Sequence, residues 1–368
     1  MNEINLKRMA AALVLSTALF IVAGCQNAGE ITIGAIISLT SQSGPQPDGE
    51  GVRDGLQMAI DELNARGGMN GHRLRLVLED GKSDPETAKA AFQKIESGQR
   101  PLLYVATLSP PALAIAPLAG QAQVVFFGLI SGLGKLTQLN QWTYRYWVLN
   151  EAQVPVYNAI LTKMNIKRFG ILHLNDDYGE SLSELTAIEF QKSGGVVKRE
   201  AFDPDRMDLS EQIARLLDSE AILILAHTSQ IPLVLEQIRK KSFNGVVVSN
   251  NSVADPAVIA LPQTQGVFSA LPIIFNPNFI AARELKQKFQ EKYGKQTSHS
   301  VAAGYDLIKL ISELLEDQEI SRTNLKARLE KGFIHSGALG DVRLEPGKRD
   351  LSFPLFPARI QNGKVQYQ

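Results

Sequence analysis

Short apolar runs rich in β-branched and aromatic residues alternate along this chain with longer stretches whose apolar positions recur every three or four residues. The runs at 31–37, 74–78, 102–105 and 124–127 have the length and composition of strands covered on both faces, which read as continuous apolar segments. Between 48 and 65, Val52, Leu56, Ala59, Ile60 and Leu63 form one helical stripe, and Gly67-Gly68 ends it. The alternation resumes after Trp142 with a helix near 151–164, a strand at 169–174 and a helix at 178–192. Strands at 196–201, 222–226 and 246–249 follow, separated by helices near 209–217 and 231–240. Such βαβ alternation predicts an α/β protein, and two doubly wound parallel sheets are its economical arrangement. The tail changes character: helices at 279–293, 301–316 and 322–331 precede short strands at 341–344, 356–360 and 364–366.

Length and charge narrow the picture. A chain of 368 residues exceeds what one hydrophobic core usually supports, which implies about two domains. With 44% hydrophobic and 21% charged residues it has the composition of a folded protein. Lysine and arginine, 38 together, balance 38 acidic residues, and no basic block is long enough to follow a phosphate backbone. Nucleic acid is therefore not an expected partner. The single cysteine, Cys25, excludes an intramolecular disulfide and a cysteine-based zinc cluster.

That cysteine closes an N-terminal segment with the pattern of an export signal. Lys7 and Arg8 supply the positive start, an apolar run covers 9–22, and the small residues Ala23 and Gly24 follow. The run is short for a bilayer-spanning helix, so removal of 1–24 is expected over retention as an anchor. Val22-Ala23-Gly24-Cys25 resembles the lipobox of bacterial lipoproteins, in which the cysteine becomes the acylated N-terminus. Acyl chains at Cys25 would hold a soluble protein at the extracytoplasmic face of a bacterial envelope membrane.

Patterns for catalysis fail. The stretch from Gly128 to Lys135 has five residues between its first glycine and the Gly134-Lys135 pair, then Leu136, so it is not a phosphate loop. Gly132-Leu133-Gly134 lacks the third glycine of a dinucleotide fingerprint. His72, His173, His227, His299 and His335 are scattered, with no pair at the spacing that places two imidazoles on one metal, and no Gly-x-Ser-x-Gly elbow occurs. Neither a metal nor a cofactor is called for.

Polar loops at strand ends are more informative, because open α/β sheets bind ligands there. The segment Ser38-Leu39-Thr40-Ser41-Gln42-Ser43-Gly44-Pro45 is rich in hydroxyls and leads to a helix beginning near Asp48. Ser41 is a candidate ligand contact, and helix capping is the ordinary alternative.

Ile33-Gly34-Ala35, Ser43-Gly44-Pro45, the run from Ala59 to Gly71 and the strand ending in Glu79-Asp80 together resemble the opening of a known family. It is the leucine/isoleucine/valine-binding type of periplasmic solute-binding protein. The resemblance continues through Asp176-Asp177-Tyr178-Gly179, Gly194-Gly195 and the segment from Ala302 to Asp306. It implies two α/β lobes joined by three crossovers, with residues 28–146 plus 276–333 in one and 147–275 plus 334–368 in the other. It further implies a monomeric binding protein with no enzymatic activity that closes over a small solute and delivers it to an ABC permease.

By the same resemblance, Ser109 offers a hydroxyl to the ligand's polar end, and Tyr178 is the aromatic that covers the ligand. Ser131 and Gly132 occupy a loop whose sequence departs from the family pattern. His227 stands where amino-acid binders have a tyrosine, and Asn251 where they have the acid that takes the ligand ammonium. Asn cannot supply that charge, which argues against a standard α-amino acid and for a mostly neutral pocket; the solute class is an amino acid or an amino-acid-like compound, an amide or a small carboxylate. Each residue also has an ordinary explanation: Tyr178 as a helix cap, His227 as a satisfied buried imidazole, Asn251 as a turn residue. Tyr305 and Asp306 precede an apolar helix and are expected to be structural. A regulatory envelope lipoprotein with the same fold is the alternative reading, and a hydrolase built around His227 a more distant one.

Overall fold

A computed structural model describes residues 29–42 and 44–368; the predicted signal segment 1–24, Cys25 and Ser43 lie outside the described residues. The first alternation runs β1 (Ile31–Ile37), α1 (Pro47–Ala65), β2 (Leu74–Asp80), α2 (Pro85–Gln99), β3 (Leu103–Thr107), α3 (Ser109–Gln121), β4 (Val125–Leu129) and β5 (Thr143–Arg145). The second comprises α4 (Asn150–Lys163), β6 (Arg168–Leu174), α5 (Asp177–Lys192), β7 (Val196–Phe202), α6 (Ser210–Leu216), β8 (Ala221–Leu225), α7 (Ile231–Lys240), β9 (Val246–Ser249) and β10 (Phe268–Leu271). The chain returns through α8 (Ile280–Tyr293), α9 (His299–Leu314), α10 (Arg322–Glu330) and the hairpin of β11 (Phe333–Gly337) and β12 (Gly340–Leu344), and ends in β13 (Phe356–Gln361) and β14 (Lys364–Tyr367).

Two large sheets result, in which βαβ connections with right-handed crossovers place helices on both faces. The first is parallel throughout in the order β2-β1-β3-β4-β5. The second, β14-β13-β10-β9-β8-β6-β7, is parallel from β7 to β10 and finishes with the antiparallel β13 and β14. The expected pair of doubly wound sheets is therefore present, extended at one edge by the C-terminal hairpin. Every residue of β1 is buried, as the unbroken apolar run requires of a central strand.

The expected division put residues 334–368 with the second lobe. Ala338, Leu339, Val342, Leu344, Leu351 and Phe353 are instead buried in the core of the five-stranded sheet, and only the segment from Phe356 joins the second sheet. Asp306 on α9 ties the β11-β12 hairpin down by accepting the Leu339 N–H at 3.0 Å. The expected structural roles of Tyr305 and Asp306 match this geometry, since Tyr305 donates its hydroxyl to Glu62 on α1 at 2.7 Å.

Helices α1 and α9 pack unusually close. A Cβ on Gly55 would lie 2.0 Å from the Val301 carbonyl oxygen, and one on Gly304 would lie 2.4 Å from that of Val52. Glycine at both positions lets the two helix backbones touch. Gly55→Ala is expected to lower stability by about 1–3 kcal/mol, because backbone has to move. Gly98→Ala on α2, which would meet open space, is expected to be neutral or stabilising by up to about 1 kcal/mol. Urea denaturation distinguishes the two, and equal effects would contradict the close-packing argument.

Burial raises the Asp306 carboxyl from 3.8 to about 6, against the opposing N–H groups of Leu339 and Ala338. A folded-state pKa above the unfolded one gives stability that is complete below the unfolded pKa and is lost as pH rises through the folded one. The melting temperature of Asp306→Asn relative to the unsubstituted protein is therefore expected to be more favourable at pH 7.5 than at pH 4.5. An offset equal at both pH values would contradict it.

Candidate functional site

In a sheet of order 2-1-3-4-5 the crevice opens beyond the C-terminal ends of the two strands whose helices pack on opposite faces. Those strands are β1 and β3 in the first sheet and β6 and β8 in the second. The loops after all four converge on one cavity lined by Asp48, Leu108, Ser109, Ile130, Trp147, Gln153, Tyr178, Ala226, His227, Asn250, Asn251 and Ser252. The lobes are closed on each other. Thr228 Oγ1 of the second lobe donates to Asp48 Oδ2 of the first at 2.5 Å. Gln46 Nε2 reaches Ser229 Oγ at 3.4 Å, and Lys135 pairs with Asp177 at 2.7 Å. The remaining space is about 20 Å³, enough for roughly one water molecule.

Several residues expected from the sequence meet here. Ser109 and Ser131 share a hydrogen bond at 3.0 Å, which links the loops after β3 and β4. Tyr178 does not cap its helix: Asp176 does, accepting the Gly179 N–H at 2.8 Å. The Tyr178 hydroxyl instead accepts from Asn250 Nδ2 at 2.9 Å, and burial pushes its pKa up against that bond. The His227 ring lies nearly parallel to that of Tyr178, with centroids 6.5 Å apart, and His227 Nε2 lies 3.5 Å from Asp176 Oδ2. Burial would raise the Asp176 pKa, but His227 and the backbone N–H groups of Gly179 and Tyr178 bring it below the usual value.

Asn251 lines the cavity half-buried, and no protein partner engages its side-chain amide among the described residues. Gly132 stands just behind the lining, where its carbonyl accepts the Asn150 N–H at 2.8 Å and a Cβ would lie 2.0 Å from Asn150 Oδ1. Ser41 sits apart, in a groove at the cleft mouth with Lys82, Asp84 and Asp205. Its hydroxyl is held by Gln46 Nε2 at 2.6 Å.

The expectation of a mostly neutral lining is corrected by Asp48. This acid is buried at the start of α1 and accepts Ser300 Oγ at 2.6 Å on Oδ1, with His299 Nε2 3.2 Å from the same oxygen. Burial would raise its pKa, but the hydrogen bond and attraction of His299, with the Ser300 and Thr228 hydroxyls, hold it down at about 2. Asp255 faces it, and burial followed by the charge of Asp48 raises Asp255 to about 6. In the sequence Asp48 looks like any acid in a first helical turn, so no local pattern reveals its role. Asn250 carries no signal of its own in the sequence, because the family position falls on its neighbour Asn251.

Backbone strain marks the same place. Leu108 has φ +67° and Ile130 φ +51°, and both line the cavity. A bulky or β-branched residue in this region costs about 1–3 kcal/mol and persists where surrounding structure imposes it, often at binding sites.

Comparisons with known proteins agree with this architecture. An amino acid binding protein of Pseudomonas aeruginosa is 23% identical over 222 residues, a match covering 56% of each chain. A Leu/Ile/Val-binding protein of Rhizobium johnstonii is 24% identical over 258 residues, 68% of each. The matches thus span between about half and two thirds of these relatives' length. Among solved structures, a leucine binding protein from Thermotoga maritima has a TM-score of 0.82 at 23% identity, covering 92% of this chain and 97% of that one. A solute binding protein of an ABC transporter from Rhodopseudomonas palustris, in complex with 3,4-dihydroxy benzoic acid, has a TM-score of 0.83 at 18% identity, covering 92% and 95%. These likenesses show a shared fold. The profile of the family described as periplasmic binding protein matches residues 30–364, and the chain belongs to that family.

Proposed function

We propose that this protein is the extracytoplasmic solute-binding component of an ABC importer, taking an amino acid or an amino-acid-like solute between its lobes and presenting it to a permease without chemical turnover. The observation that carries the reading is the convergence of six strand-end loops, three from each sheet, on one cavity whose lining mixes hydroxyls, amides, an imidazole and two aromatic rings. Solute pockets have this character: a concave site with a few converging polar groups. The names of the relatives refer to solute binding, which favours a receptor over a regulatory lipoprotein.

In this reading Ser109, Ser131, Tyr178, His227 and Asn251 contact the solute, Gly132 shapes the wall, and Ser41 guards the mouth. The first lobe takes residues 29–146 and 276–353, and the second takes 147–275 with the strands from Phe356 onward. Hinge bending at the three crossovers opens and closes the cleft. No helix among the described residues is long and apolar enough to cross a membrane, and acylation at Cys25 is the proposed attachment to the envelope. The protein acts as a monomer, since one chain supplies both walls of the cleft.

A thermal-shift screen against amino acids, amides and small carboxylates tests the proposal. A specific solute at 100 times its dissociation constant is expected to add about 2.7 kcal/mol of stability, and Tyr178→Ala to abolish the shift. No shift with any solute, together with no small molecule released on denaturation, would contradict the reading.

A further inference from the structure

Among the described residues, Asp48 is the one acid in the lining of the cleft cavity, and no lysine or arginine lines it. Its two oxygens are used differently. Oδ1 faces both first-lobe donors, Ser300 and His299, whereas Oδ2 takes only Thr228, which belongs to the second lobe. On opening, Thr228 would leave with its own sheet while Ser300 and His299 stay beside Asp48, so Oδ2 would lose its one donor and Oδ1 would keep both of its own. We propose that Asp48 Oδ2 receives a protonated amine of the solute, so that the protein selects amines over the corresponding simple carboxylic acids. This rests on the solute-binding reading above and gives it a ligand charge.

The electrostatics around the cavity point the same way. Asp48 and Asp176 each face one imidazole, His299 and His227, so with the rings neutral the surroundings of the cavity carry an excess of negative charge. A cation relieves that excess, and an acid without an amine adds to it. The helix end nearest the cavity offers such an acid little. The N-terminus of α3, directed at the cavity through Ser109, has Pro110 and Pro111 next in the chain, and proline has no N–H to offer an anion. What remains at that end is the Ser109 N–H with the Ser109 and Ser131 hydroxyls, enough for the carboxylate of a zwitterion. Beyond Asp48, the unpartnered Asn251 amide supplies an oxygen for another N–H of the amine. The acid that the family resemblance places at position 251 is thus supplied from the opposite lobe.

Calorimetric titration of the purified protein with matched pairs tests this: L-leucine against 4-methylpentanoic acid, L-phenylalanine against 3-phenylpropanoic acid, and 3,4-dihydroxybenzoic acid as an amine-free control. At least one amine is expected to bind, with its deaminated partner more than about 10-fold weaker. Loss of a charge-assisted bond in Asp48→Asn should weaken the amine roughly 10- to 100-fold and leave the weak binding of the acid within a few-fold. Thr228→Val, which keeps the carboxylate, should retain the preference for the amine, and it carries the test with the unsubstituted protein if Asp48→Asn does not fold. Equal or tighter binding of the acids, or no change in Asp48→Asn, overturns the role of Asp48 while the receptor stands. Binding of neither set overturns the amine proposal, and the receptor reading falls with it only if the thermal-shift screen finds no solute and denaturation releases none.

Discussion

A carboxylate buried between two lobes has to be compensated, and much of this structure serves to compensate Asp48. An ionised acid removed from water without partners costs several kcal/mol, so its donors must be placed before the lobes meet. His299 and Ser300 do this from the first turn of α9. They reach Asp48 because Gly55 and Gly304 let α9 and α1 pack with backbones in contact. The glycines of that contact, the register of two helices far apart in sequence and the state of one cleft carboxylate are therefore a single constraint. Thr228 completes it from the other lobe, which couples closure to the same acid.

The polar bonds across the cleft are few. Lys135–Asp177 is half-exposed, and such pairs contribute about 1 kcal/mol or less. Gln46–Ser229 is long at 3.4 Å. Among the described residues Thr228–Asp48 is the short buried side-chain bond between the lobes, and a solute that adds bonds to both walls can shift the balance between open and closed forms. Leu108 and Ile130, both with positive φ, follow directly on the paired strands β3 and β4, so the first-lobe wall is anchored to one sheet.

Much of the fold was legible in the sequence, for a physical reason. β1, β9 and α7 coincide with their expected bounds, since central strands buried on both faces and a helix with one clean apolar stripe leave strong periodic signals. α3 left none: Pro110, Pro111 and Pro117 punctuate it, and its mean composition is apolar on every side, which hides a 3.6-residue period. β5, with three residues, is too short to announce itself, and β10, with four, carries Ser269 and Ala270 where the equally short β9 has a run of valines. The side that the β11-β12 hairpin joins is not legible, because position in the chain carries no information about which core it enters; Leu339 and Val342 decide that by packing. At the cleft, Ser109, Tyr178, His227 and Asn251 were reachable through strand-end position and family resemblance. Asp48 was not, since its importance comes from His299, Ser300 and Thr228, which lie far from it in sequence and meet it only in the folded chain.

The central claim is that two lobes close on a solute, and the distance across the cleft mouth measures it directly. Gln42 and Asp205 face each other there in the same groove, and spin labels on cysteines at these positions, in a Cys25→Ser background, report their separation by pulsed electron resonance. The account expects a broad or long distribution without solute that collapses to one short distance at saturation. A distribution that saturating solute leaves unchanged would contradict it.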